Sequence, residues 1–227
     1  MRALARLAVA LALALALALP MLAVACSNDK DKQEGGATPS TLVPRRVPDT
    51  NLVVSLPQGW LADMPDPGPL PPPPPEGAKL ALSGRKLLEA RPGTPAPGML
   101  ITPVLHVFED PWLPLGTTGV DYLVAQRTAN QKALGANIRH VEAEPGRRAG
   151  RPSYHVRDEW TVLGPDGQSR DVSQEALLVL ESAATPDQRQ LLTGYTVVVT
   201  LEKAEFKTLQ PVVREILASL RFEERTK

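Results

Sequence analysis

From residue 51 onward the apolar positions fall into short blocks of period two, punctuated by Gly and Pro, and one late stretch has a period near 3.6. The block Asn51–Leu56 predicts a first strand, closed by Pro57-Gln58-Gly59-Trp60, with Trp60 on the edge of the core. Two further strands are expected over Lys79–Ala90 and Met99–Glu109, separated by the turn chemistry of Arg91–Gly98. Thr118 followed by Asp121 has capping-box spacing and Gly135 is a stop signal. A helix is therefore predicted over Gly119–Leu134, with Val120, Leu123, Val124 and Leu134 as its buried contacts. Residues Ile138–Ala183 read as an antiparallel meander, in which Tyr154, Val156, Trp160 and Val162 share a face interrupted by Asp158. Gly164-Pro165-Asp166-Gly167 is a hairpin turn. The β-branched run Thr196–Thr200, inside a strand Leu191–Leu201, suits the middle of a sheet covered on both faces. Phe206, Leu209, Val213, Ile216, Leu217 and Leu220 make one helical stripe. Pro211 is harmless if regular helix starts near Thr208, because a first-turn proline loses no hydrogen bond. Leu220-Arg221-Phe222 closes the chain as a short strand, and the whole predicts an α+β domain on an antiparallel sheet.

The segment before residue 51 has a different pattern. Arg2 and Arg6 precede an unbroken Leu/Ala/Val run from Leu7 to Leu19, then Pro20, which is signal-peptide grammar. Small residues up to Ala25 lead to Cys26 and a sharply polar stretch from Ser27. This boundary resembles a bacterial lipoprotein lipobox, with Ala23 where that pattern usually has Leu. The resemblance implies cleavage between Ala25 and Cys26, diacylglyceryl transfer to the Cys26 thiol, and, with Ser27 next, outer-membrane delivery facing the periplasm. The competing reading is an uncleaved anchor, since Leu7–Ala25 is long enough to span a bilayer of roughly 30 Å. Residues 1–25 are thus expected as signal peptide, 26–48 as a lipidated flexible tether rich in Gly, Pro and charge, and 49–224 as one globular domain. Within it, Pro-rich residues 65–75 are expected as an extended loop, either a rigid surface element or a ligand for a proline-recognising partner.

Charge and chemistry narrow the functional classes. Lys plus Arg number 25 and Asp plus Glu 25, so no global field points to nucleic acid. Loss of the leader removes Arg2 and Arg6 but no acid, leaving a slightly acidic mature chain. Cys26 is the only cysteine, which excludes an internal disulfide or a thiolate metal cluster. His106, His140 and His155 lack metal-ligand spacing among themselves. No nucleophile elbow or phosphate-binding glycine loop occurs. The acidic neighbours Glu109-Asp110 and Asp158-Glu159 point to opposite faces of their strands and are expected to be solvated. Arg139, Arg147, Arg148, Arg151 and Arg157 bracket a turn, and Arg147, Arg148 and Arg151 are candidate contacts for anionic headgroups or an acidic partner; the alternative is an exposed hairpin end interleaved with acids.

Residues 51–223 also resemble the PsbP-like superfamily, including DcrB-like and LpqN-like lipoproteins. The resemblance rests on the opening strand followed by Leu56-Pro57-Gln58-Gly59-Trp60, and on the closing strand and helix ending Ile216-Leu217-Ala218-Ser219-Leu220-Arg221-Phe222. It implies a sheet flanked by helices, an α/β/α sandwich, and it carries over no catalytic residue, cofactor or metal. The expected function is a non-enzymatic, lipid-anchored envelope accessory for binding or assembly with an envelope protein partner. The alternative is a small-molecule or lipid carrier with a pocket between helix and sheet, and an enzyme is a distant third.

Overall fold

The run Tyr195-Thr196-Val197-Val198-Val199-Thr200-Leu201 combines β-branched stiffness with apolar residues on both sides of the pleat, and it lies in the interior of the main sheet. This computed structural model describes residues 41–94, 101–135, 137–164, 166–184 and 190–223. The expectations for the signal peptide, for Cys26 and for the tether up to residue 40 lie outside them, as does the turn expected at residues 185–187.

Ten strands are described: β1 Leu42–Arg46, β2 Leu52–Pro57, β3 Trp60–Asp63, β4 Arg85–Pro92, β5 Val104–Leu113, β6 Arg139–Arg148, β7 Arg151–Leu163, β8 Ser169–Ala184, β9 Gln190–Glu202 and β10 Arg221–Phe222. Helix α1 is Gly119–Leu134 and α2 is Lys203–Ala218. A seven-stranded sheet runs β3-β4-β5-β9-β8-β7-β6 and a three-stranded one β1-β2-β10, with every pairing antiparallel. The fold is α+β and antiparallel, as the sequence predicts.

Alternation within the strands divides the core in two. Leu177 and Val179 of β8 join Tyr195, Val197, Val199 and Leu201 of β9 under β2 and α2. Ala176, Leu178, Leu180 and Val198 form the second cluster, with Tyr122 and Leu123 of α1. The two motifs that carry the family resemblance meet in the first cluster: Phe222 pairs with Leu52, and the Ser55 N–H donates to Ser219 Oγ at 2.8 Å.

Several expectations need correction. Ordered structure begins before Asp49: residues 42–46 pair with β2 from Leu42↔Pro57 to Arg46↔Val53, and Val47 is fully buried. The segment reads as tether because Pro44, Arg45 and Arg46 are edge-strand residues, and an edge strand needs only one apolar face. The strand expected from Lys79 starts at Arg85. Before it, Leu80 and Leu82 reach the second cluster from irregular chain, and Gly84 at φ 60° turns the backbone away from extended geometry. The strand expected to end at Glu109 instead bulges and continues to Leu113, with Trp112 at φ 64° donating its indole N–H to the Pro71 carbonyl at 2.7 Å. That bond and Arg85 Nη2 to the Gly68 carbonyl, 3.0 Å, fasten the Pro-rich loop, which contains neither strand nor helix. Helix α2 starts at Lys203, so Pro211 lies inside it rather than in its first turn. An interior proline costs about 3 kcal/mol in general; here the buried side chains of Phe206, Val213, Ile216 and Leu217 hold the helix across it.

Candidate functional site

Helix α1 forms where its caps dictate. The Thr118 side chain accepts from Asp121 N while Asp121 reaches back to the Thr118 N–H, and Gly135 at φ 58° ends the helix with a bond to the Gln131 carbonyl. Its packing is not that of an ordinary amphipathic helix. Val120, Val124 and Leu134, expected inside, are 52%, 58% and 44% exposed, and only Tyr122 and Leu123 are buried. The face turned to the sheet continues through Gln126, Asn130 and Ala133, which are amide or small. Beneath them the sheet also presents a small residue, Ala176. The missing side-chain volume leaves a partly open cavity of about 300 Å³.

Phe108, Leu123, Val156, Leu178 and Val198 give the cavity apolar walls, and polar groups gather at its two ends. At one end Asp110, fully buried, accepts from Gly84 N at 2.7 Å, from the Tyr122 hydroxyl at 2.8 Å and from Gln126 Nε2 at 2.7 Å. The Tyr122 hydroxyl also meets Thr196 Oγ1 at 3.0 Å. Burial pushes the Asp110 carboxyl above its ordinary value against the pull of those donors. Burial, then the adjacent Asp110 charge, holds the Tyr122 hydroxyl well above its own, so it stays protonated. At the other end Arg127 Nη2 donates to Asp158 Oδ1 at 3.1 Å, His140 Nδ1 lies 2.9 Å from the same oxygen, and Asn130 faces Gln174 at 3.5 Å. Thr196 pairs with Leu178, and Gln174 lies four residues from Leu178 on β8. At ~3.3 Å per residue the two polar ends are therefore about 13 Å apart.

A glycine makes this arrangement possible. Gly194, mid-strand in β9, lies under the Tyr122 ring; a Cβ there would sit 2.4 Å from Tyr122 Cζ and 2.7 Å from its oxygen. A lone glycine inside a strand signals such close approach, and neither Gly194 nor Tyr122 stands out on other sequence grounds.

The acidic neighbours are not solvated. Glu109 and Asp110 are 9% and 0% exposed, and Asp158 and Glu159 are 4% and 8% exposed. They do face opposite sides: Glu109 pairs with Arg85 and Glu159 with Arg139 and Lys203, while Asp110 and Asp158 turn to the cavity. The cationic partners of Glu109, Asp158 and Glu159 come from other strands, from α1 and from α2, and Asp110 is held by neutral donors. The candidate anionic contacts are engaged within the chain. Arg147 donates to the Gly150 carbonyl, and Arg148 Nη1 to Ala218 O at the end of α2, 3.0 Å. Arg151 bonds Glu181 at 2.7 Å and lies 3.9 Å over the Phe222 ring. Each histidine lies against a carboxylate: His106 on Glu89 at 3.2 Å, His140 on Asp158, and His155 on Glu175 at 2.8 Å. Among the described residues no helix is long and apolar enough to cross a membrane.

No protein-family model matches the chain, and no curated protein does. Solved structures similar to it include cyanobacterial PsbP (CyanoP) from Synechocystis, at 16% identity over 83% of this chain and 96% of that one, TM-score 0.43. Another is LpqN, involved in cell envelope biogenesis of Mycobacterium tuberculosis, at 10% identity over 83% and 87%, TM-score 0.46. A Pseudomonas aeruginosa protein of unknown function is similar at 11% identity over 82% and 99%, TM-score 0.41.

Proposed function

We propose that this chain is an exported, lipid-anchored, non-catalytic binding protein of the cell envelope, built as a PsbP-like α/β/α sandwich, whose working site is the cavity between α1 and the sheet. The observation that carries the reading is the inner face of α1. A helix lying on a sheet ordinarily fills the space with an apolar stripe, whereas Gln126, Asn130 and Ala133 leave it open above Ala176. Apolar walls with a few convergent polar groups are the usual anatomy of a small-molecule site. The volume, about 300 Å³, is at the small end for such sites and suits a compact ligand rather than a diacyl lipid. Polar groups about 13 Å apart across an apolar floor match an elongated molecule with a polar group at each end. Asp110 and Asp158 against Arg127 leave no surplus of positive charge, so an anionic ligand is disfavoured and a neutral one fits. After the export signal is cleaved, lipid on Cys26 would hold this domain at the membrane, outer or inner, where it can pass ligand to an envelope partner. Of the binding-accessory and carrier readings, the cavity supports the ligand-binding form.

Methyl NMR of the full chain tests this. Titration with neutral amphiphiles bearing hydroxyl or amide groups should shift Leu123, Val156, Leu178 and Val198 together, while the methyls of Val53 and Val213 stay put. Uniform small shifts, or none across a broad set of such compounds, would refute the site.

A further inference from the structure

On the opposite face of the sheet, against α2, the β6–β7 pairing brings metal-ligating side chains together. Glu142 and Glu144 are two residues apart on β6 and so share a face, and Glu144 is directly opposite His155 on β7. One oxygen of each carboxylate and a ring nitrogen of His155 all lie within 4.8 Å of one another. His155 Nδ1 is 3.8 Å from Glu142 Oε1, too far for a hydrogen bond. Glu144 has no ion-pair partner among the described residues outside this group.

A second feature sits behind the imidazole. Glu175, in the middle of β8, is fully buried, and neither of its oxygens accepts a well-directed hydrogen bond. Its nearest opposite groups are His155 Nε2 at 2.8 Å and Arg214 Nε at 3.6 Å. A carboxylate with no access to water needs a positive partner. A neutral His155 that turns its Nε2 hydrogen toward Glu175 leaves the Nδ1 lone pair facing Glu142 and Glu144, where a cation, either a proton or a metal ion, offsets the repulsion among them. A carboxylate behind one ring nitrogen and open donors at the other is how metal-bound histidines are ordinarily oriented. Arg148 and Arg214 line the same depression, but Arg148 is drawn to the Ala218 carbonyl at the end of α2, and Arg214 is more than half exposed. Arg157, also on this side, stacks its guanidinium 5.3 Å from the centre of the Phe206 ring.

We propose that Glu142, Glu144 and His155 Nδ1 form a binding site for a divalent transition cation of the zinc class, with Glu175 as the positioning residue behind the histidine. Three oxygen and nitrogen ligands leave a fourth, solvent-facing position, which the depression of about 370 Å³ provides. The site is independent of the α1 cavity, since it uses the other face of the sheet.

The test is isothermal titration of zinc chloride into the full chain in detergent micelles after chelator treatment, with cobalt absorption as a reporter of donor geometry. One zinc per chain is expected, in the micromolar range or tighter. Glu144→Gln, on an exposed position that folding does not depend on, should weaken it about 10-fold or more, and Glu175→Gln by ~10–100-fold. Zinc should also move the His155 ring nitrogen resonances. Absence of one-to-one binding would overturn the proposal. So would unchanged affinity in the Glu142→Gln, Glu144→Gln double variant, which would put the metal elsewhere. Ligand binding in the α1 cavity should be the same with and without zinc, so failure of one proposal leaves the other standing.

Discussion

Removing one oxygen atom, in Tyr122→Phe, tests the polar end of the cavity. The hydroxyl is buried and donates to Asp110 at 2.8 Å with Thr196 Oγ1 on its other side at 3.0 Å. A hydrogen bond to a charged group is worth about 1.5–3 kcal/mol, and the deletion also strips a partner from buried Thr196. Asp110 keeps Gly84 N–H and Gln126 Nε2. The expected loss is therefore about 2–3 kcal/mol at neutral pH. Burial raises the Asp110 carboxyl in the fold above its unfolded value. Stability from this group is thus fully present below the unfolded value and is lost as pH rises through the folded one. Below that pH the acid is neutral, its bond to Tyr122 is an ordinary one worth about 1 kcal/mol, and the substitution costs correspondingly less. Urea unfolding followed by tryptophan fluorescence at neutral and at acid pH reads both numbers, provided the denaturant slope is unchanged. A loss under about 0.5 kcal/mol at neutral pH, or an equal loss when Asp110→Asn is already present, would refute the reasoning, because coupled partners cannot be additive.

Asp110→Asn itself removes a buried charge while leaving an oxygen for Gly84 N–H, so its stability relative to wild type should rise as pH rises through the range in which Asp110 ionises in the fold; parallel curves would contradict this. Gly194→Ala should cost about 3 kcal/mol, at the top of the range for overpacking, since the buried Tyr122 ring cannot move off the new Cβ. Thermal unfolding within 2 °C of wild type would show that the ring has other room. Cys26→Ala should release the protein from membrane fractions, and continued retention would favour the uncleaved helix.

The parts legible in the sequence are those set by local chemistry. Thr118, Asp121 and Gly135 bound α1 to the residue because capping is a contact over three or four positions. The α2 stripe and the meander are periodic signals. β1 is illegible because its Pro and Arg residues solve the problem of being an edge, and their apolar neighbours Leu42 and Val43 are too few to stand out. The cavity could not be read at all. Its walls come from α1, β5, β7, β8 and β9, and its existence depends on side chains that are absent from the inner face of α1. Asp110 and Asp158 look solvated in sequence because their partners, Tyr122 with Gln126 and Arg127 with His140, are supplied by other elements.

The central claim is that the α1 cavity carries a ligand, and the most direct measurement is native mass spectrometry of the full chain solubilised from its own envelope, beside Ala176→Leu. The added carbons of leucine project into the cavity and, filling empty space, should leave stability equal or higher by up to ~0.8 kcal/mol per methylene. The wild type should show a small-molecule mass above the acylated chain that is lost on denaturation, and the variant should not. A bare wild-type mass under conditions that preserve the fold, or the same adduct in Ala176→Leu, would contradict the account.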